Sequence, residues 1–106
     1  MKYGLKETTI QQMQNVFAEY EVVEKVVLYG SRAKGNFKLA SDIDLTLFGS
    51  NLSLAVLYKI EDELDDLLLP YMIDISLFHH LSNIDLIDHI SRVGQVFYEK
   101  GISHSV

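Results

Sequence analysis

The segment Asp42-Ile43-Asp44-Leu45-Thr46-Leu47-Phe48 alternates polar and apolar residues, the period of a strand with one face in a core. Ile43, Leu45 and Leu47 belong to the buried face, so Asp42 and Asp44 project together from the other. Residues two apart on a strand lie roughly 7 Å apart at Cα. Their carboxylates can therefore converge on one or two hard cations in the manner that Mg²⁺ requires. The plainer alternative is a solvated Asp-x-Asp on an edge strand.

Upstream lies a turn of a different kind. Val26-Val27-Leu28-Tyr29 is a β-branched and aromatic run suited to a buried strand, and Gly30-Ser31 ends it before Arg32-Ala33-Lys34, which favours helix. A strand opening through glycine into a helix start presents backbone N–H groups, and the missing side chain lets an anion approach them. Ser31 adds a hydroxyl donor, and Arg32, Lys34 and Lys38 add positive charge. The turn lacks the Gly-Lys-Ser/Thr ending of a Walker-type phosphate loop.

A third carboxylate follows. Tyr71 to Phe78 reads as another strand, with Tyr71, Ile73, Ile75 and Leu77 on one face and Met72, Asp74, Ser76 and Phe78 on the other. An ionised Asp74 among apolar neighbours needs a wet edge, or else a metal, a cation or a proton. Two carboxylates on one strand and one on its neighbour would make a cradle for two-metal phosphoryl chemistry.

Gly30-Ser31, ten intervening residues, Asp42-Ile43-Asp44 and then Ile73-Asp74-Ile75 together resemble the nucleotidyltransferase superfamily that includes polymerase beta, and its minimal nucleotidyltransferase branch in particular. The resemblance runs from the first helix to the third strand without a departure inside these motifs. It implies an α/β (α+β) fold, a small mixed sheet flanked by helices, with a nucleoside triphosphate substrate and two Mg²⁺ ions. It makes Asp42, Asp44 and Asp74 the catalytic metal ligands, and Gly30 and Ser31 the triphosphate contacts, with Arg32 beside them. The implied reaction moves an NMP group, with AMP from ATP the preferred reading, onto a hydroxyl. For the minimal branch the acceptor would be a tyrosine of a small helical HEPN-class toxin encoded nearby, which makes the chain an antitoxin. The competing reading is a silent nucleotide-binding module that neutralises its partner sterically.

Length and charge bound these readings. A chain of 106 residues can bury one core, so a single domain over 1–106 is expected, with an acceptor surface borrowed from another polypeptide or from an oligomer. Lys and Arg outnumber Asp and Glu six to four through Ser41 but fall behind three to eleven from Asp42 onward. A net charge of −6 argues against an extended nucleic-acid surface, which would normally be basic. The chain has no cysteine, hence no disulfide or thiolate metal site. No stretch reads as a membrane span or a signal peptide, so a cytoplasmic location is expected.

The remainder reads as scaffold. Thr8 or Thr9 is expected to cap a first helix running toward Tyr20, with Ile10, Met13, Phe17 and Tyr20 inward. Ser53 caps a second helix to about Leu69, stopped by Pro70, with Leu57, Ile60, Leu64 and Leu67 as its stripe. Its acidic group Glu61, Asp62, Glu63, Asp65 and Asp66 is read as a solvated face. Ser82 is expected to cap a third main helix ending near Gly94, Val96-Phe97-Tyr98 forms a short last strand, and Gly101 to Val106 is a frayed tail. His79, His80, His89 and His104 show no recurrent ligand spacing.

Overall fold

The computed structural model describes residues 1–101; His104 and the rest of the expected tail beyond Gly101 lie outside the described residues. The order is α1 (Glu7–Ala18), β1 (Lys25–Tyr29), α2 (Ser31–Lys34), β2 (Ile43–Phe48), α3 (Leu54–Asp66), β3 (Ile73–Leu77), a 3₁₀ turn at Phe78–His80, α4 (Ile84–Val93) and β4 (Gln95–Glu99). The four strands form one mixed sheet in the order β3-β2-β1-β4. β1 runs antiparallel to both β2 and β4, whereas β2 and β3 are parallel. Helix α3 makes the crossover that a parallel pair requires.

The expected alternation on β2 is realised. Ile43, Leu45 and Leu47 are buried in the main core with Val26 and Leu28 of β1, Met13, Val16 and Phe17 of α1, and Leu57, Ile60 and Leu64 of α3. The opposite face of the sheet carries a smaller cluster of Val27, Tyr29 and Ile90, flanked by Phe48, Phe78, Leu81 and Leu86. Helix α4 therefore covers the face from which the β2 carboxylate projects. Ile84, at the start of α4, stays 79% exposed whereas Ile90 is buried, so the apolar residues of that helix are core only in part.

Several boundaries differ from the sequence reading. α1 begins at Glu7 with Lys6 as its N-cap and no side-chain cap bond, so Thr8 and Thr9 sit within its first turn; Thr9 is buried there instead of capping. Ser53 does cap α3, accepting from the Val56 N–H at 3.3 Å, but the helix ends at Asp66, before a turn in which Leu68 takes a φ of 55°. Asn83, not Ser82, caps α4, its Oδ1 accepting from the Leu86 N–H at 3.1 Å. β3 is shorter than Tyr71 to Phe78 because Phe78 enters the 3₁₀ turn and stacks on Phe48 at 4.3 Å. Among the described residues no helix is long and apolar enough to cross a membrane.

Candidate active site

Strand pairing brings the separated motifs to one end of the sheet, where β1 finishes and β2 and β3 begin. Tyr29, the last residue of β1, stands opposite Asp44, and Asp44 stands beside Asp74 across the parallel β2/β3 pair. Gly30 follows Tyr29 directly, so its backbone is pressed against the Asp44 side chain. A Cβ built on Gly30 would overlap Asp44 Oδ2. Gly30 also adopts φ 76° and ψ −158°, a conformation that glycine reaches without steric cost. Both observations account for glycine at this turn.

The carboxylates are differently placed. Asp44 is half-buried, Asp74 is exposed on the edge strand, and Asp42 is exposed one residue before β2. Asp74 thus takes the wet-edge option left open by its apolar neighbours. No Lys or Arg forms an ion pair with any of the three among the described residues; Arg92 pairs with Asp88 and Lys100 with Glu21. Burial pushes the Asp44 carboxyl above its usual range, and the charges of Asp74 and Asp42 push it further, against a smaller opposing effect of His89. Tyr29 is likewise pushed up, first by burial and then by Asp74 and Asp44, with a hydrogen bond to Ser76 working the other way. Behind the carboxylates, Ser76 Oγ donates to Thr46 Oγ1 at 3.0 Å, which satisfies a wholly buried threonine.

This donor set fits a hard divalent cation in its chemistry: oxygen ligands only, like-charged, and without a Lys or Arg ion pair to neutralise them. The full three-carboxylate cradle is not closed, since among the described residues no three His, Cys, Asp or Glu side chains are gathered as a group that could hold a metal ion. Asp44 and Asp74 share a register position, and Asp42 is exposed just ahead of β2.

Around the turn, Ser31 opens α2 and, as a first helical residue, has an N–H with no intrahelical acceptor. Lys34 and Lys38 are exposed. Arg32, expected among the nucleotide contacts, is placed differently. It is 2% exposed, and its guanidinium is committed to the carbonyls of Tyr3, Leu39 and Ser41. Residue spacing marked it as a cation but could not reveal the loop that closes over it.

Sequence reasoning passed over His89. It stands on α4, 59 residues from the turn, and its Nε2 accepts the Gly30 N–H at 3.0 Å. Its ring meets Tyr29 edge-on at 6.2 Å. An accepting Nε2 carries no proton, which defines the tautomer in this arrangement. The only local hint was its place next to Ile90, the helix residue that enters the core.

Comparison with known proteins bears on the family and the fold. Residues 11–102 match the family described as polymerase beta, nucleotidyltransferase. Among solved structures, a toxin–antitoxin complex with AMP-PNP superposes with a TM-score of 0.68 at 18% identity, covering 92% of this chain and 76% of that one. An MntA–HepT toxin–antitoxin structure gives 0.65 at 14% identity, covering 89% and 73%. The complex of a tri-AMPylated Shewanella oneidensis HEPN toxin with its MNT antitoxin gives 0.59 at 16% identity, covering 88% and 69%. At these identities the likeness concerns the fold. No curated protein matches in a sequence comparison.

Proposed function

This chain belongs to the polymerase beta nucleotidyltransferase family, and on that premise we propose that it transfers AMP from ATP to a hydroxyl of a protein acceptor. The acceptor in this reading is a tyrosine of a small helical HEPN-class partner, and the transfer neutralises that partner. The observation that carries the reading is the junction of Gly30 with Asp44 and Asp74: a side-chain-free turn pressed onto a carboxylate that has a second carboxylate beside it in register. The HEPN assignment draws on the AMPylated toxin found with an MNT antitoxin of the same fold.

In this reading Gly30 and Ser31 hold the triphosphate through backbone N–H groups and the serine hydroxyl. Asp42, Asp44 and Asp74 would hold two Mg²⁺ ions, which would supply the positive charge that eases deprotonation of the attacking hydroxyl and balances the departing pyrophosphate. The acceptor oxygen bonds to the α-phosphorus as the bond to pyrophosphate breaks, and the hydroxyl proton is released. The chain's own contribution is placement, because orientation and electrostatics are most of what phosphoryl-transfer catalysis requires. His89 holds the Gly30 N–H until a phosphate oxygen takes its place.

The test is intact-mass spectrometry of the partner after incubation with this chain, Mg²⁺ and ATP. A gain of one or more AMP units is expected with the wild type. The Asp42→Asn/Asp44→Asn double variant should slow the transfer by at least ~10⁴-fold, since it removes charge needed only to hold metal. A partner neutralised equally well by wild type and double variant, with unchanged mass, would mean that binding alone is the function.

A further inference from the structure

Resting on that reading of the site, we propose that Arg32 is a positioning residue that ties the phosphate turn to the metal-bearing strand through backbone carbonyls. The side chain starts one residue after Ser31 and ends one residue before Asp42. Its Nε and Nη2 both donate to the Ser41 carbonyl, at 3.1 and 2.9 Å, and Nη2 also reaches the Leu39 carbonyl at 3.2 Å. Its Nη1 donates to the Tyr3 carbonyl at 2.8 Å. The guanidinium lies 4.9 Å from the Tyr71 ring centre and 5.3 Å from that of Phe37. A buried cation with no carboxylate partner is thereby satisfied by carbonyl dipoles and ring faces.

The surrounding chain is shaped to this one group. Residues 36–42 carry no strand or helix, so no ladder holds the loop that delivers Asp42. Local bonds between Lys38 and Ser41 make one turn of it, and the Arg32 fork anchors the rest. Tyr3 adopts a φ of 58°, unusual for a residue with a side chain, and its carbonyl is the one that Nη1 takes. At Gly4 a Cβ would overlap the Phe37 ring and lie 2.9 Å from Arg32 Nη1. The N-terminal hook therefore closes tightly around the guanidinium. Two donors on one carbonyl and two more on others demand a planar fork, which a lysine ammonium does not reproduce.

Loss of this anchor should therefore displace Asp42 relative to Ser31 without removing either group. Small misplacements of catalytic groups slow the chemical step strongly. Arg32→Lys is the test, read first as amide hydrogen exchange on the protein free of metal and nucleotide. Exchange in residues 36–42 should accelerate at least ~10-fold while β1 and α1 stay protected. With Mg·ATP and the acceptor, kcat should fall ~10–100-fold while KM for ATP stays within ~3-fold. An unchanged loop, or a raised KM with kcat preserved, would overturn the proposal, because a direct phosphate contact gives that second pattern. Should Arg32→Lys fail to fold, Phe37→Leu/Tyr71→Leu keeps the guanidinium and removes its ring faces. Loop exchange should then rise ~3-fold, and no rise overturns the proposal. The exchange measurement needs no turnover, so it stands or falls separately from the adenylyl-transfer reading.

Discussion

Leu45 and Asp44 are consecutive on β2 and meet opposite environments. Leu45 is wholly buried in the cluster that joins the sheet to α1 and α3. Asp44 faces the α4 side, half-buried, beside a second carboxylate and with no cationic partner. One face of the sheet is closed by a continuous apolar core, while the other has, among the described residues, the buried side chains of Val27, Tyr29 and Ile90 and a fully buried threonine. Like charges held together oppose folding, and burial of the apolar face is what offsets them. The same backbone thus separates stability from chemistry by residue parity.

That separation can be broken most forcefully at Leu45. Leu45→Ala should cost ~2–5 kcal/mol of stability through lost burial and a cavity, whereas a change at Asp44 should leave the fold intact. Urea denaturation of both variants checks this. A loss below ~1 kcal/mol at Leu45 would mean that the core face collapses around the gap, and the contrast between the faces would be weaker than the packing implies.

This parity was legible in the sequence, and the mixed sheet flanked by helices agrees with the resemblance drawn from Gly30-Ser31 and Asp42-Ile43-Asp44. Both are local patterns: a period of two, and a glycine between a strand and a helix start. What escaped was set by distant partners. Thr9 has the chemistry of a cap, yet the packing of α1 buries it. Ser82 and Asn83 both have capping side chains, and in the structure it is Asn83 that accepts the Leu86 N–H. Arg32 was visible as a charge near residues expected to contact phosphate, but its fate depends on carbonyls of Tyr3, Leu39 and Ser41. His89 lies far along the chain from Gly30, and no local spacing connects them.

A sharper probe of the polar face is His89→Ala. The Gly30 N–H loses its acceptor, so nucleotide-free stability should fall by ~0.5–1.5 kcal/mol, the net contribution of one hydrogen bond. If phosphate takes the same N–H, that bond stabilises only the free protein. Mg·ATP should then bind the variant tighter, by about 2–10-fold. Calorimetry decides the sign, and weaker binding would place His89 among the nucleotide contacts instead.

The smallest expected effect, and the one that tests the electrostatics most directly, is at Asp44 itself. Its folded-state carboxyl is pushed up by burial and then by Asp74 and Asp42. A raised value means that protonation favours the folded state, so this contribution is fully present below the unfolded value near 3.8 and is lost as pH rises through the folded one. In chelator, Asp44→Asn should therefore melt slightly above the wild type at pH 7, with the advantage fading toward pH 3. Partial exposure keeps the gain small. Adding Mg²⁺ should reverse the order, because an ion bound by the folded wild type stabilises it in proportion to its saturation and the variant has lost a ligand. Melting curves at pH 3 and 7, with and without Mg²⁺, give the four values needed. An asparagine variant that is less stable in chelator at both pH values would mean that the Asp44 carboxylate already has a protein partner, and that the polar face is no site of unbalanced charge.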